Sequence, residues 1–311
     1  ESLFATFQMT FAIITPALMI GAFVERIKFS AMLIFLSIWL LVVYVPVTHW
    51  VWGGGILSSW GTMDFAGGIV VHATAGTAAL VTALTLGKRR GFPKSITPPH
   101  SPILTMIGAS MLWIGWFGFN AGSALGANGG AGMAMLVTHI SAATASLVWM
   151  FIEWRRFGKP SLIGIVTGMV AGLATVTPAS GYIGVPGGLV LGFFGGLFCY
   201  LAVDYIRGKL QIDDSLDVFA VHGVGGILGT LLVAFLATST FSGLGLAEGQ
   251  TAVSQFFVQL KAVVLTVVWT SVFTYLILKI TSFIVPLRVD EQEEIEGLDL
   301  RSHGEKGYHS D

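Results

Sequence analysis

The sequence predicts an all-α polytopic membrane protein, and three observations lead to this prediction. The chain of 311 residues is 54% hydrophobic and 11% charged, less than half of the roughly 25% charged residues of soluble domains. Nine apolar segments approach or exceed the length of about 20 residues that a membrane helix needs. Forty glycines, about twice the usual share, favour closely packed membrane helices, because small residues let backbones approach one another.

The nine predicted membrane helices are separated by short loops that contain Gly, Pro or charged residues. They cover approximately residues 5–24, 30–52, 68–87, 103–120, 131–152, 161–177, 183–203, 218–238 and 256–286. The apolar runs are far longer than barrel strands and do not alternate with polar residues, which excludes a β-barrel. We therefore expect a transmembrane domain over residues 1–288.

The basic residues predict the orientation of these helices. Of sixteen Lys and Arg residues, all except Lys261 and Lys279 follow the first, third, fifth, seventh or ninth segment. Basic loops stay on the cytoplasmic side, so we expect the N-terminus of this chain outside the cell and its C-terminus in the cytoplasm. The expected location is the cell (inner or plasma) membrane. Residues 289–311 then form an acidic cytoplasmic tail, which is ordinarily just solvated but could also regulate the protein or contact a neighbour.

Charge and cysteine content exclude other classes of function. A net charge of −1 argues against nucleic acid as a partner, because nucleic acids bind to basic faces. The single Cys199 lies in an apolar run, so neither a disulfide framework nor a cysteine-rich metal site is expected, and no cofactor is predicted. Glu1 is not an initiator and no basic segment precedes an apolar signal core, so we expect a processed or trimmed N-terminus.

Two segments combine an acid ahead of the helix with a histidine inside it. Asp64 precedes His72 by eight residues, and Asp217 precedes His222 by five. The two segments run in opposite directions through the membrane, so if they are related they belong to an inverted repeat. In transporters of that design the substrate site lies near the middle of the membrane, where the two halves meet.

If the repeat unit has five helices, the chain contains one complete unit and one incomplete unit. The second repeat then covers about residues 103–238 and the final helix about 256–286. The first repeat, residues 1–90, is incomplete and lacks two helices ahead of Glu1.

Ionisable residues inside a membrane are rare and normally face a cavity or the bundle interior. His72 or His222 alone is more often a core histidine bonded to a backbone carbonyl. As a pair in related helices they could share a proton and line a path for a small polar solute. Asp217 is expected to cap its helix, whereas Asp64 could cap a helix, attract a cation at the outer side, or do both.

Aromatic residues beside glycines predict an outer cavity. Trp52 precedes three glycines, Phe7 and Phe11 are one helical turn apart, and residues 116–123 combine Phe, Gly and Ser. Trp at an interface is ordinarily a membrane anchor and Phe is ordinarily core. Ring faces at a cavity would instead hold a cation, and one desolvated contact contributes about 2 kcal/mol.

Taken together, these residues resemble the ammonium transporter (Amt/MEP/Rh) family, close to its bacterial Amt branch. The motifs span nearly the whole chain in family order. They are Phe7-Gln8, Phe11, Ala22–Arg26, Trp52–Gly55, Asp64–Gly68, His72, Trp113–Ser123, Gly158–Ser161, Thr177–Gly184, Asp217, Val221–Gly223, Ala247–Gly249 and Glu296–Asp299.

The resemblance implies a role for individual residues. Phe7, Trp52 and Ser123 would form an outer ammonium site, and Phe11 and Phe119 a stacked gate beneath it. His72 and His222 would be the paired histidines of the pore, and Asp64 an acid that supports recruitment of ammonium. The resemblance also implies a fold of eleven helices, of which this chain contains helices 3–11, and a homotrimer with one pore per subunit. A PII-type signal protein is an implied partner at the cytoplasmic face.

The function expected from this resemblance is transport of ammonium or methylammonium. Ammonium binds outside, loses its proton and crosses as ammonia, with or without the proton following, whereas potassium has no proton to lose. The alternative is an ammonium sensor with little flux. A metal-dependent membrane enzyme is disfavoured because the two histidines lack a third ligand, and a water or glycerol channel because the paired Asn-Pro-Ala signature is missing.

Overall fold

A computed structural model describes residues 1–308, which are almost entirely helical. Within this range, eight helices are long and apolar enough to cross a membrane, and a ninth apolar helix is shorter. In chain order the nine are α1 (Ser2–Ile20), α2 (Phe29–Ser59), α3 (Gly68–Leu86), α4 (Pro102–Gly122), α5 (Gly129–Phe157), α6 (Leu162–Val176), α7 (Val185–Lys209), α8 (Phe219–Leu236) and α9 (Ala252–Ile284). This arrangement confirms the predicted all-α membrane fold.

Local sequence explains where several helices begin and end. Four of them start at a side chain that accepts a hydrogen bond from a free backbone N–H, namely Ser101, Asn128, Ser161 and Thr251. The short helix α6 stops at Val176, ahead of Pro178, which lacks an N–H donor. The non-helical turn that follows it is buried in protein, the setting in which irregular backbone is tolerated at membrane depth.

The loops gather at two ends of the bundle in the alternating pattern that the basic residues predict. At the basic end, the loops after α1, α3, α7 and α9 meet. Arg26 donates to the carbonyl of Asp213 over 2.6 Å, Arg89 pairs with the Asp213 carboxylate over 2.9 Å, and Lys28 bonds to Leu287. At the opposite end, Gln259 of α9 binds the backbone of Met63, which precedes α3.

The start of the acidic tail lies against the basic end. A short helix, α10 (Glu291–Glu296), places Glu294 between two loops. Its carboxylate accepts from Arg288 over 2.7 Å and from the backbone N–H of Arg90 over 2.7 Å. The start of the tail therefore contacts the basic loops of its own chain, whereas regulation by the tail and its contact with a neighbour stay predictions.

Helices α3 and α8 form the centre of the bundle and share an unusual feature. Each begins with a π-helical turn, Gly68–Ala73 in α3 and Phe219–Gly223 in α8, and each turn carries one of the two histidines. The helices cross in close contact, because a Cβ atom at Gly226 would lie 2.6 Å from the Cβ of His72. Their similarity is local; the five-helix repeat stays a prediction.

The prediction that Asp217 caps α8 is wrong, because Asp214 performs this role. The Asp214 carboxylate accepts from the N–H of Phe219 over 2.7 Å, whereas Asp217 pairs with Arg207 over 3.1 Å. Asp217 has a φ of +56°, a left-handed conformation that Asp tolerates, and this turns its side chain away from the helix start. Asp214 precedes His222 by eight residues, the same spacing that separates Asp64 from His72.

Candidate functional site

Asp64 holds the start of α3 through four backbone hydrogen bonds. Oδ1 accepts from Gly67 and Gly68 over 2.9 and 2.6 Å, and Oδ2 accepts from Ile69 and Val70 over 2.8 and 3.1 Å. The chain bends back to make these bonds at Gly67, whose φ of +114° favours glycine. The capping role predicted for Asp64 is therefore present. Its buried carboxylate has no acceptor position left for a solute, so recruitment through its charge stays a prediction.

A cavity of about 320 Å³ opens at the end of the bundle opposite the basic loops. Its wall contains all three residues of the predicted outer site, and none of its described lining residues is charged. The lining is formed by Phe4, Phe7, Gln8, Phe11, Val51, Trp52, Phe65, Ser123 and Leu125. The cavity therefore offers ring faces and neutral oxygen atoms to a small cation.

Two residues in this wall are held in place by backbone groups. The Trp52 indole donates to the carbonyl of Asp64 over 2.8 Å, and the Ser123 hydroxyl donates to the carbonyl of Phe119 over 2.9 Å. Because Ser123 uses its hydrogen in this bond, its oxygen is left to accept one from a solute.

Gln8 is a member of this wall whose role sequence analysis missed. Its buried Oε1 has no hydrogen-bond partner among the described residues, although buried polar atoms are normally bonded. The signal in the sequence was an amide inside an apolar helix, directly after Phe7.

Phe11, which lines the cavity, contacts Phe119, and these two rings are the predicted gate. The ring centroids of Phe11 and Phe119 are 4.5 Å apart, with the planes tilted by 40°. Phe11 is 1% exposed and contacts Phe7 and Trp52 edge-on. Phe119 in turn lies beside His72, so the two rings lie between the cavity and this histidine, and their role as a gate stays a prediction.

The two histidines lie beyond the gate and are bonded to each other. The Nδ1 atoms of His72 and His222 are 3.2 Å apart, so one ring must present N–H and the other a lone pair. His72 also stacks on Trp116 at 5.3 Å and on Phe119 at 6.1 Å. The bond between the two histidines contradicts the alternative that they are unrelated core residues.

The two histidines are almost completely buried. His72 is 0% exposed and His222 is 8% exposed, and the Nε2 atom of His72 has no partner among the described residues. No cluster of three or more metal-binding side chains occurs in residues 1–308. The arrangement thus provides one shared proton between the two rings and leaves Nε2 of His72 buried without a partner.

Comparisons with known proteins point to one family. A profile of the Ammonium Transporter Family matches residues 1–308. A putative ammonium transporter of Methanothermobacter thermautotrophicus is 49% identical over 313 residues, covering 99% of this chain and 75% of the relative. The ammonium transporter Amt1 of Archaeoglobus fulgidus is 48% identical over 311 residues, covering 99% and 78%.

A solved structure described as a sensor Amt protein superposes on this chain with a TM-score of 0.88 at 30% identity, covering 95% of this chain and 75% of that one.

Proposed function

This chain belongs to the ammonium transporter family, and from that premise we propose that it conducts ammonia through the centre of the bundle. In this proposal NH4⁺ binds in the outer cavity, loses its proton at the gate, and crosses as NH3 past His72 and His222. The proton either passes to water on the outer side or follows along the histidine pair. The observation that carries the proposal is the direct Nδ1–Nδ1 contact of 3.2 Å between two buried histidines, beside the contacting rings of Phe11 and Phe119.

The outer cavity suits a small cation that must also be released. The rings of Phe7 and Trp52 hold the ion by cation–π contacts, which contribute about 2 kcal/mol each when desolvated. The oxygens of Ser123 and Gln8 accept hydrogen bonds, which potassium cannot donate. A neutral lining keeps binding weak enough for the ion to move on, a condition that conduction requires.

Loss of the proton is the less costly route through the gate. Moving an intact ion of this size into an apolar channel costs several kcal/mol even after relaxation. Releasing a proton costs about 1.4 kcal/mol per unit by which the pKa exceeds the ambient pH, so a gap of two to three units costs roughly 3–4 kcal/mol. Potassium has no such route, which gives the selectivity for ammonium.

The histidine pair guides the neutral molecule beyond the gate. The unpaired Nε2 of His72 offers ammonia a hydrogen-bond partner in an otherwise apolar region. The shared proton between the rings also provides a position through which a proton follows, and in that case the transport moves net charge.

Orientation and assembly belong to the same proposal. Because basic loops stay on the cytoplasmic side of a membrane, the proposed cavity opens outside the cell and the tail lies in the cytoplasm. The homotrimer implied by the resemblance to the family is part of this proposal. The basic end with the docked tail is the proposed surface for a PII-type signal protein.

A sensor with little flux is the second candidate. The likeness to a structure described as a sensor Amt protein and the contact between the tail and the basic loops favour it. A sensor would bind ammonium in the same cavity and transmit that binding to the tail.

The test is the current that an ammonium pulse evokes on proteoliposomes containing this protein or its His72→Ala variant, compared with a potassium pulse. The proposal expects ammonium current or uptake in the wild type, no response to potassium, and an altered flux or lost potassium exclusion in the variant. An unchanged flux with unchanged potassium exclusion in the variant would contradict the histidine pathway. Ammonium binding without current or methylammonium uptake would favour the sensor.

A further inference from the structure

Leu125, in the loop between α4 and α5, has a backbone conformation that leucine rarely adopts. Its φ is +52°, in the left-handed region that is unfavourable for most residues other than Gly, Asn and Asp. Among the described residues, fourteen have a positive φ and ten of these are glycines; the other four are Leu125, Gln211, Asp217 and Ser242. Leu125 is the only apolar side chain in this set, although a glycine follows it directly in the chain.

The turn that contains Leu125 is fixed at both ends. The backbone N–H groups of Ser123, Ala124 and Leu125 donate to carbonyls in the last turn of α4 over 3.2, 3.1 and 2.9 Å. Two residues after the turn, the side chain of Asn128 caps the start of α5. Backbone strain persists where the surrounding structure enforces it, and strained residues are concentrated at binding sites. The strain at Leu125 therefore points to a role for its side chain.

The side chain of Leu125 forms part of the rim of the outer cavity. It lines the cavity together with Trp52 and Ser123 and is nevertheless 66% exposed, so it lies where the cavity meets the surroundings of the bundle. The side chains of Phe7 and Trp52 are only partly buried, which means that water reaches them unless a neighbouring side chain limits its access. Leu125 is thus an apolar group at the boundary between the proposed cation site and water.

Access of water to this rim determines how strongly the rings hold a cation. A cation–π contact is about two to four times weaker at an exposed site than at a desolvated one. The described lining contains no charged residue, so the attraction comes from the rings and from the oxygens of Ser123 and Gln8. An apolar rim therefore raises the affinity without making a hydrogen bond to the cation.

From these features we propose that Leu125 limits the access of water to the outer cavity and thereby sets its affinity for ammonium. The inference rests on the proposed ammonium site at Phe7, Trp52 and Ser123. Leu125 acts through the aromatic rings and not on the substrate, so it is a positioning residue. The left-handed turn holds its isobutyl group at the rim, which explains why an apolar residue is retained at a position that favours glycine or asparagine.

The replacement Leu125→Asn separates this role from a structural one. Asparagine is similar in size to leucine and adopts a positive φ more readily, but its amide binds water. Ammonium affinity should therefore fall about five-fold, which corresponds to roughly 1 kcal/mol, while the unfolding temperature stays equal or rises. Within a series of replacements at this position, Leu125→Met should show the smallest loss because it keeps an apolar side chain. Leu244→Asn is the matched control, since Leu244 is an exposed leucine in the loop between α8 and α9 and does not line the cavity.

Calorimetric titration of the purified protein with ammonium chloride measures the affinity, and thermal unfolding of the same samples measures stability. A double-mutant cycle with Trp52→Leu tests whether Leu125 acts through the ring. If it does, Leu125→Asn should weaken binding by less than about two-fold in the Trp52→Leu background, because the effect of one residue then depends on the other. Leu244→Asn should leave the ammonium affinity unchanged.

Equal affinity in the wild type and Leu125→Asn would overturn the inference, and so would equal losses in Leu125→Asn and Leu244→Asn. A lower unfolding temperature in Leu125→Asn would assign Leu125 a structural role instead. A five-fold loss that persists in the Trp52→Leu background would show that Leu125 acts independently of that ring. In each of these cases a wild type that binds and transports ammonium leaves the proposed function intact, whereas a wild type that does neither overturns that function and this inference together.

Discussion

The replacement Asp64→Asn tests whether this residue stabilises the fold or recruits the substrate. Asparagine keeps one side-chain oxygen and replaces the other with an NH2 group, which donates and cannot accept. Two of the four backbone N–H groups now bonded to Asp64 would then lose their acceptor, whichever way the amide is turned. A buried donor without a partner costs about 1–3 kcal/mol, so the expected loss of stability is about 2–6 kcal/mol.

The assay is thermal unfolding of the purified protein in detergent, together with ammonium current in proteoliposomes. Asp64→Asn should lower the unfolding temperature by several degrees and reduce the current, since the π-helical turn that carries His72 begins at these bonds. Asp217→Asn is the control. Asp217 makes only a partly exposed ion pair with Arg207, which is worth about 1 kcal/mol or less. If Asp64→Asn kept its unfolding temperature and bound ammonium ten-fold more weakly, the capping argument would be refuted and direct recruitment supported.

Three further predictions follow from the contacts at the site and at the basic end. Gly226→Ala should destabilise the protein by about 1–3 kcal/mol and reduce flux, because the new Cβ would lie 2.6 Å from the Cβ of His72. The control is Gly118→Ala, where the new Cβ meets open space, and this variant should change neither the unfolding temperature nor the flux. Gln8→Leu should weaken ammonium binding about five-fold through loss of one hydrogen bond, and an unchanged affinity by calorimetry would remove Gln8 from the site. Burial alone would raise the pKa of Asp213, but hydrogen bonds from Arg89 hold that pKa below its usual value. The stability from this group is present above about pH 4 and lost as the pH falls through the lower folded pKa, so Asp213→Asn should lower the unfolding temperature at pH 7 but much less at pH 3. An equal effect at both pH values would contradict the ion-pair argument.

The membrane helices were predictable because the free energy of transfer into hydrocarbon is a sum over the residues of one continuous segment. The predicted segment 68–87 and the observed Gly68–Leu86 differ by one residue, since glycine and charged residues follow the apolar run directly. The prediction for the segment 161–177 agrees less well with the structure. It gives the 15-residue helix Leu162–Val176, because Pro178 ends the hydrogen-bonding pattern while the apolar sequence continues.

The helix caps show where sequence spacing misleads. Asp217 is the acid nearest to α8 in the chain, yet Asp214 caps this helix. The choice depends on the left-handed backbone at Asp217 and on Arg207, which attracts its carboxylate. Residue types alone do not show those two effects. Once Asp214 is known to be the cap, its eight-residue spacing from His222 matches that of Asp64 from His72.

The site itself was predictable in its members and not in its bonds. Both histidines were singled out because they lie inside apolar segments, and the aromatic residues because they adjoin glycines, but the Nδ1–Nδ1 contact joins residues 150 positions apart. That contact depends on two helices crossing at glycines. The unpartnered oxygen of Gln8 likewise became visible only when its surroundings were known.

The sequence by itself determined that the chain is a bundle of membrane helices with alternating basic loops, because solvation energies add along the chain and need no partner. The tertiary structure alone decided which acid caps which helix, how the two histidines bond, and that Leu125 lies at the rim of the outer cavity. These features depend on contacts between residues far apart in the sequence, such as the 3.2 Å between the two histidines. Such distances are fixed by the packing of whole helices, which no local pattern encodes.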